Sequence, residues 1–197
     1  MLLKVWKLVI IKPIKWQGNR GQVMKLINRE IVYKGKIFDV AEDTIEIEKG
    51  KTTKWDLVLH NGATAIVPIT ENNEIILVRQ YRNADNRELL EIPAGKLEKG
   101  EDPYDCAVRE LEEETGYQAG HIEKICAMFS AVGFSDEKLH LYLATQLKQG
   151  KQNLDEDEYI TLEKYPLSQA VNMIFEGEIQ DSKTIVGILT AQHFLNK

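Results

Sequence analysis

The sequence predicts an α+β protein built around a mixed β-sheet. Strand-like stretches follow one another before a single highly charged helix, further strands come after it, and helical spacing closes the chain. Because these strands do not alternate regularly with helices, we do not expect the repeated βαβ units of an α/β protein. A length of 197 residues, with 43% hydrophobic and 28% charged side chains, fits one ordinary globular domain with a small appendage.

The appendage is expected at the start of the chain. Residues 1–23 carry basic charges and no acidic ones, whereas the remainder of the chain is acidic. Such a change in composition indicates a boundary, and the apolar run is too short for a signal peptide or a membrane span. Three explanations stay open: residues upstream of a natural start at Met24, which we favour, a basic arm on an acidic body, or an additional strand.

The body of the chain begins with strands. Between residues 36 and 60, apolar and polar residues alternate in the period-2 pattern of a half-buried strand. Residues 63–69 and 75–81 are two apolar stretches joined by a polar turn, which predicts a β-hairpin with a buried second strand. Further elements are expected in this order: a strand at 89–93, the charged helix at 103–115, strands at 122–129 and 139–147, and helices at 167–175 and 184–195.

The charged helix has well-marked ends. Asp102 is a good N-cap, Pro103 suits the first helical position, and Gly116 can adopt the left-handed conformation that ends many helices. A helical wheel predicts which side chains face the core. These are Tyr104, Ala107, Val108, Leu111 and Thr115.

Three carboxylates lie together beside that core-facing stripe. Glu110, Glu113 and Glu114 are neighbours on the helix surface, and Arg109 is spaced to pair with Glu113. An isolated acidic face is more often simply solvated, but this one follows a strand end that carries Gly95 and a short loop. Oxygen-rich clusters in such a setting suit hard divalent cations, Mg²⁺ or Mn²⁺. The helix is therefore a candidate metal site.

Several other classes of function find no support in the composition. A formal net charge of -6 argues against non-specific nucleic-acid binding, which needs a cationic face. The four histidines lack the H-E-x-x-H spacing of a zinc hydrolase. The two cysteines cannot form a disulfide framework, so we expect a reduced, cytoplasmic protein. No stretch is apolar for long enough to suggest a membrane partner.

The segment from Gly95 to Tyr117 resembles the signature of the Nudix hydrolase family. That signature is a glycine, five residues, a glutamate, seven residues and then R-E-U-x-E-E-x-G-U, where U is a bulky aliphatic residue. Every fixed position is met, and only Tyr117 departs mildly, at the last aliphatic site. The resemblance covers about residues 36–195 and is closest to the bacterial ADP-ribose pyrophosphatase branch. It also rests on the stretches 79–82, 90–95, 133–137 and 154–158.

This family resemblance implies an α/β/α Nudix sandwich with a mixed sheet, preceded by an N-terminal antiparallel β segment. The expected organisation is a basic extension at residues 1–23, the β segment at 24–61 and a Nudix hydrolase domain at 62–197. In this branch the β segment pairs across a homodimer and helps to form the nucleoside site. A homodimer is therefore expected here.

The resemblance also implies an activity. Nudix enzymes cleave a nucleoside diphosphate linked to another group by attack of water at phosphorus, using divalent metal ions. The expected reaction is Mg²⁺-dependent hydrolysis of ADP-ribose to AMP and ribose 5-phosphate, with Mn²⁺ as a substitute metal. Two alternatives stay open: a pyrophosphatase for another nucleoside diphosphate sugar such as GDP-mannose, and a Nudix module that senses nucleotides without catalysis. The complete set of signature carboxylates favours an enzyme.

By similarity, the metal site lies on the charged helix and the strand end before it. Glu113 and Glu114 would act both in catalysis and as metal ligands, and Arg109 would orient the ligands. A loop glutamate, Glu156 or Glu158, would supply the general base or a further ligand. The expected metal ligands are Ala94, through its carbonyl, Glu110, Glu113 and Glu114.

Substrate contacts are expected nearby. Arg82 matches the position that contacts a substrate phosphate in the branch. Val132 stands where the branch usually has proline, and Trp55 where close relatives often have arginine, which bears on the choice of substrate. Trp55 would either stack on the base or ribose or pack at a subunit boundary. The expected substrate-binding residues are Arg82, Arg79, Trp55, Phe38 and Phe134.

Overall fold

The computed structural model describes residues 24–154 and 158–196. The basic extension at residues 1–23 and Glu156 lie outside the described residues. None of the described helices is long and apolar enough to cross a membrane. The elements are, in chain order, β1 (Lys25–Lys34), β2 (Asp39–Glu48), β3 (Lys51–Leu59), β4 (Ala63–Pro68), β5 (Glu74–Arg82), β6 (Arg87–Glu91), β7 (Ala94–Lys96), α1 (Pro103–Thr115), β8 (Tyr117–Phe129), β9 (Lys138–Gln149), β10 (Ile160–Pro166), α2 (Leu167–Phe175) and α3 (Ser182–Leu195).

The described strands form three sheets. At the N-terminus, β1, β2 and β3 form an antiparallel sheet in that order. The central sheet has the order β7-β4-β9-β8, and it is mixed because β4 and β9 run parallel while its other pairs are antiparallel. A third, antiparallel sheet has the order β10-β5-β6. The predicted α+β class, mixed sheet and N-terminal antiparallel sheet are confirmed.

The core lies on both faces of the central strands, which is why β4 is buried along its whole length. Ala65 and Val67 face a cluster that contains residues of α2 and α3, whereas Ile66 between them faces a second cluster with α1. Alternation of side chains along a strand produces this division. One helix on one face and two on the other give the expected α/β/α sandwich.

The prediction of a β-hairpin between residues 63–69 and 75–81 is wrong. One isolated bridge joins Ile69 to Ile75, but β4 pairs with β7 and β9 while β5 pairs with β6 and β10. Both edges of β4 are therefore occupied by strands that are distant in the sequence. The polar turn, in which Asn73 has a positive φ of 57°, moves the chain from one sheet to the next.

The ends of α1 are as predicted, but its buried face is rotated. Asp102 Oδ1 accepts a hydrogen bond from the N–H of Tyr104 at 2.8 Å, and Gly116 has the left-handed φ of 71°. Tyr104 and Val108 were expected in the core but are exposed. The helix packs against β7 at the edge of the central sheet as well as against β4 and β8, and the contact with β7 turns its other side inward. The buried residues of α1 are Cys106, Ala107, Glu110, Leu111, Glu114 and Thr115.

Candidate active site

The strand β7 and the middle of α1 are in direct contact. Glu110 is buried, and its carboxyl group lies where a side chain on residue 95 would be. A Cβ added to Gly95 would come within 1.7 Å of Glu110 Oε1. The absence of a side chain at Gly95 therefore lets this carboxyl group reach the backbone of β7.

Glu114 is held against the same strand. It is 3% exposed, and its Oε2 accepts a hydrogen bond from the backbone N–H of Ala94 at 3.0 Å. Burial raises the pKa of Glu114 to about 8, which the hydrogen bond from Ala94 only partly offsets. Burial likewise raises the pKa of Glu110, although Arg109 opposes the effect. A nearby cation therefore favours ionisation of these two buried groups.

Arg109 joins three carboxylates on and before α1. Its Nη1 donates to Glu110 Oε1 at 2.6 Å and to Glu113 Oε2 at 2.9 Å. Its Nε and Nη2 donate to the two oxygens of Glu101 at 3.0 and 3.2 Å. This pairing lowers the pKa of Glu101. The predicted pair between Arg109 and Glu113 is confirmed. Arg109 also pairs with Glu101 and Glu110, which was not predicted.

The chemistry of these donors fits a hard divalent cation. Carboxylate and carbonyl oxygens are the ligands that Mg²⁺ and Mn²⁺ prefer, and ionising the buried Glu110 and Glu114 requires a positive charge close by. Within residues 24–154 and 158–196, no three acidic, histidine or cysteine side chains already surround a common point. Arg109 instead contacts Glu110 and Glu113. A metal ion there would share these two carboxylates with Arg109, which contacts only one oxygen of each.

The carboxylates line a cleft of about 620 Å³ that also contains cations. Arg82 comes from the end of β5, Lys96 from β7, and Lys36 from the connection between β1 and β2. A phosphate group is recognised by such cations, especially by the planar fork of arginine. The cleft therefore combines groups that suit a metal ion with groups that suit a phosphate.

The chain that follows β9 is fixed to the end of α1. Gln152 Nε2 donates to the backbone carbonyl of Glu114 at 2.6 Å, and the N–H of Asn153 donates to the carbonyl of Glu113 at 3.0 Å. These bonds use carbonyls that the last turn of a helix leaves without partners. Sequence reasoning missed Gln152, because a single amide after a strand gives no distinctive signal.

Of the two glutamates expected in the following loop, Glu158 lines the same cleft as the helix carboxylates. Its charge adds to the effect of burial in raising the pKa of both Glu110 and Glu114. The structure thus brings Glu158 to the acidic cluster. Glu156 lies outside the described residues.

Arg82 is held at the cleft by a buried acid. Its Nε and Nη2 donate to the two carboxylate oxygens of Glu91 at 2.7 Å each. Glu91 is 1% exposed and also accepts a hydrogen bond from Lys183. Burial alone would raise the pKa of Glu91, but Arg82 and Lys183 outweigh burial and lower the pKa. Sequence reasoning missed Glu91 and Lys183, although a glutamate inside the apolar run at 89–92 signals a paired buried charge.

Two of the expected substrate contacts lie beside the cleft. Phe38 and Phe134 line a largely apolar cavity of about 460 Å³, and Ile37 belongs to the walls of both spaces. Both aromatic side chains are exposed. An exposed aromatic surface next to a phosphate-compatible cleft suits a flat ring system.

Arg79 and Trp55 are not brought to the cleft in the described part of the chain. Arg79 pairs with Glu163 on β10, because alternation along β5 directs Gln80 and Arg82 to the cleft and Arg79 away from it. Trp55 is exposed on β3, opposite Asp43 in the N-terminal sheet. Within one chain, these two residues do not occupy the positions expected of substrate contacts.

Comparisons with known proteins give a consistent result. A family model described as the NUDIX domain matches residues 59–185. The chain is 43% identical to the methanol dehydrogenase activator of Bacillus methanolicus and 42% identical to the ADP-ribose pyrophosphatase of Bacillus subtilis strain 168. Each match spans 166 residues, 83% of this chain and 90% of the relative. The fold also resembles a crystal structure of an ADP compounds hydrolase, with a TM-score of 0.79 and 23% identity over 88% of this chain and 94% of that chain.

Proposed function

The chain belongs to the Nudix family, and we propose that it hydrolyses the pyrophosphate bond of a nucleoside diphosphate sugar. ADP-ribose, cleaved to AMP and ribose 5-phosphate, is the first candidate substrate. The name of the Bacillus subtilis relative supports this choice.

One observation carries the proposal. The carboxylates of Glu110, Glu113 and Glu114 line one cleft with Arg82 and with the backbone of Gly95. A sensor that only bound a nucleotide would not require all three acids, because each like charge added to a site for phosphates weakens binding unless a metal neutralises it. The intact cluster therefore favours catalysis over sensing.

Nudix hydrolases use divalent metal ions, and we propose Mg²⁺ as the ion here, with Mn²⁺ as a substitute. Glu110, Glu113, Glu114 and the carbonyl of Ala94 would hold it. A divalent ion in that place supplies neutralisation of the phosphates and a bound water of lowered pKa. Arg109 would keep Glu113 in position through the hydrogen bond already present.

The other groups of the cleft have separate roles. Arg82 would contact a phosphate of the substrate through the donors that its bidentate pair with Glu91 leaves free. Glu158 or Glu156 would take a proton from the attacking water, and the position of Glu158 in the cleft supports the former. Phe38 and Phe134 would contact the nucleoside in the adjoining apolar cavity.

We also propose a homodimer formed through the N-terminal sheet. Every residue of β1 is exposed within one chain, although the strand is rich in large apolar side chains. A second copy of the chain would cover them and remove this apolar area from water. The exposed apolar residues of β1 are Leu26, Ile27, Ile31, Val32 and Tyr33.

A cytoplasmic location agrees with the state of the cysteines. Cys106 is buried and Cys126 is half-buried, and both are free thiols. Burial raises the pKa of Cys106 to about 12, so its thiol is protonated and unreactive at neutral pH. We propose that the protein works in a reducing compartment.

The experiment that tests the function is a substrate panel with product analysis. Purified protein with Mg²⁺ is incubated with ADP-ribose, GDP-mannose, UDP-glucose, NADH, a diadenosine polyphosphate and an oxidised dNTP, and products are separated by ion-exchange chromatography. Release of AMP and ribose 5-phosphate from ADP-ribose, at a higher kcat/KM than for the other compounds, is expected. Tight binding of ADP-ribose without turnover would instead identify a sensor, and preference for GDP-mannose would change the substrate but not the chemistry.

A further inference from the structure

The carboxylate of Glu91 connects two cations at the edge of the cleft. Arg82 reaches it from β5 through two hydrogen bonds of 2.7 Å, and Lys183 reaches it from the first turn of α3. A carboxylate that is 1% exposed is strongly destabilising without such partners. One partner with good geometry would satisfy both oxygens, yet the structure supplies two.

Both cations face the space next to the metal site rather than the protein interior. Arg82, Lys183, Ala94 and Gly95 line one cavity of about 290 Å³. Arg82, Ala94 and Gly95 also line the larger cleft that contains the helix carboxylates. Lys183 therefore shares a cavity with Ala94, one of the candidate metal ligands.

Lys183 keeps a donor for a ligand. Its ammonium group has three N–H bonds, of which one is directed to Glu91 and one to Asp181 Oδ2 at 3.1 Å. Asp181 is itself fixed as the N-cap of α3, where it accepts a hydrogen bond from the N–H of Thr184 at 2.9 Å. The side chain of Lys183 is only 12% exposed, so its ammonium group is held in one place, with one N–H unused by these two acids.

A purely structural reading assigns Lys183 only the neutralisation of Glu91. The pair between Arg79 and the more exposed Glu163 shows the simpler arrangement. That pair lies on the same strand β5, faces away from the cleft and consists of one cation and one acid. At the cleft, Arg82 already reaches both oxygens of Glu91, and Lys183 is a second cation that also lines the cavity.

We propose that Lys183 is a substrate-binding residue that contacts a phosphate oxygen of the nucleoside diphosphate, and that Glu91 is a positioning residue that holds Lys183 and Arg82 beside each other. This rests on the proposed function. The two cations then contact the pyrophosphate from β5 and α3, while the helix carboxylates bind it through the metal. Because Asp181 and Glu91 balance their charges, the cations contribute directed hydrogen bonds rather than net positive charge.

The test compares steady-state kinetics of the wild type, Lys183→Met and Lys183→Arg with ADP-ribose at saturating Mg²⁺. Loss of a charge-assisted hydrogen bond to phosphate is expected to raise KM by about 10- to 100-fold, with little change in kcat. Lys183→Arg, which keeps the charge and the donors, is expected to recover most of the loss. Lys164→Met, which removes a lysine hydrogen-bonded to Tyr117 outside the cleft, is the matched control and is expected to keep the wild-type KM.

A double-substitution cycle separates substrate binding from neutralisation. If Lys183 only neutralised Glu91, then Lys183→Met would have no effect on KM in a Glu91→Gln background. We expect it to raise KM there as well, and an unchanged KM in the Glu91→Gln background would overturn the proposal. Thermal unfolding of each variant shows whether the protein is folded at the assay temperature. If the wild type hydrolyses no compound of the panel, the proposed function fails and this proposal fails with it. If the wild type is active but the substitutions of Lys183 leave KM unchanged, only the role of Lys183 is overturned.

Discussion

The carboxyl group of Glu110 occupies the space that a side chain on Gly95 would fill. A Cβ at residue 95 would lie 1.7 Å from Glu110 Oε1 and 1.8 Å from Cδ. The position of the Glu110 carboxyl group on α1 thus depends on the absence of a side chain at Gly95 on β7, although the two residues are fifteen positions apart in the sequence. Any side chain at residue 95 must displace the carboxyl group.

The first prediction concerns Gly95→Ala. The clash is with the far end of a flexible side chain, so the fold is expected to survive while Glu110 moves away from β7. A displacement of about 1 Å in a catalytic group lowers turnover by about 100-fold, and the affinity for Mg²⁺ should fall with it. Enzyme kinetics and Mg²⁺ titration by calorimetry measure both effects.

Gly187→Ala is the contrasting control. Its Cβ would lie 2.8 Å from Ile92 and 3.1 Å from Val67 in the core, which predicts a loss of about 1–3 kcal/mol in the free energy of unfolding. The helix carboxylates are not touched by this change. The Gly187→Ala protein should therefore remain active below its unfolding temperature. A Gly95→Ala protein with normal kcat and Mg²⁺ affinity would show that Glu110 has no role at the metal site.

The second prediction concerns Glu114→Gln. The substitution keeps the size of the buried side chain but removes a proposed metal ligand, so turnover is expected to fall by several orders of magnitude with the fold intact. Stopped assays at saturating Mg²⁺ and circular dichroism measure the two quantities. Near-normal turnover would count against the ligand assignment.

The same residue predicts a pH dependence of stability in the metal-free protein. The pKa of Glu114 is about 8 in the folded chain and is 4.5 without burial, so between these values the folded state holds a proton that the unfolded state releases. Rising pH therefore favours unfolding across that window. Denaturant titrations in EDTA should show the free energy of unfolding falling from pH 5 to pH 8. For Glu114→Gln, which has no proton to lose at this position, the free energy of unfolding should fall less over the same range.

Much of this site was predictable from the sequence, because the glutamates and the glycine follow a fixed spacing. The ends of α1 at Asp102 and Gly116 follow from local chemistry, and the Nudix signature locates the acidic cluster. The rotation of α1 was not predictable, because the helical wheel placed the mostly apolar stripe in the core and could not foresee that Glu110 and Glu114 would be buried against β7.

Features that depend on distant parts of the chain were missed. The pairing of β4 with β9 joins residues far apart in the sequence, so the local polar turn suggested a hairpin that the fold does not contain. Lys183 and Glu91 meet for the same reason, because α3 and β6 are brought together only by the packed core. Arg79 was expected at the substrate because it belongs to the stretch 79–82 that resembles the family, but strand alternation directs Arg79 and Arg82 to different faces.

The third prediction concerns Arg109→Gln. The guanidinium contacts Glu101, Glu110 and Glu113, so its loss leaves these acids to repel one another. Because about a third of the side chain is exposed, a loss of about 1–2 kcal/mol in the free energy of unfolding is expected in EDTA. Mg²⁺ should restore part of this loss, since the proposed site would place the ion against the same carboxylates. Urea denaturation with and without Mg²⁺ measures the difference, and an equal loss in both conditions would show that the ion does not bind there.

The fourth prediction concerns the homodimer. Val32→Glu places a charge among the exposed apolar side chains of β1 and is expected to convert the dimer to a monomer, as measured by light scattering after size exclusion. Thr52→Glu, at an exposed polar position of β3 in the same sheet, is the matched control and should remain dimeric. A wild-type protein that is monomeric at micromolar concentration would refute the dimer.

The most direct test of the metal site is a crystal structure of the protein with Mg²⁺ and a non-cleavable ADP-ribose analogue. We expect Mg²⁺ bound by Glu110, Glu113 and Glu114, with the pyrophosphate group in the cleft beside Arg82. A structure in which the ligand is bound elsewhere and these three glutamates contact only Arg109 and water would contradict the proposed function.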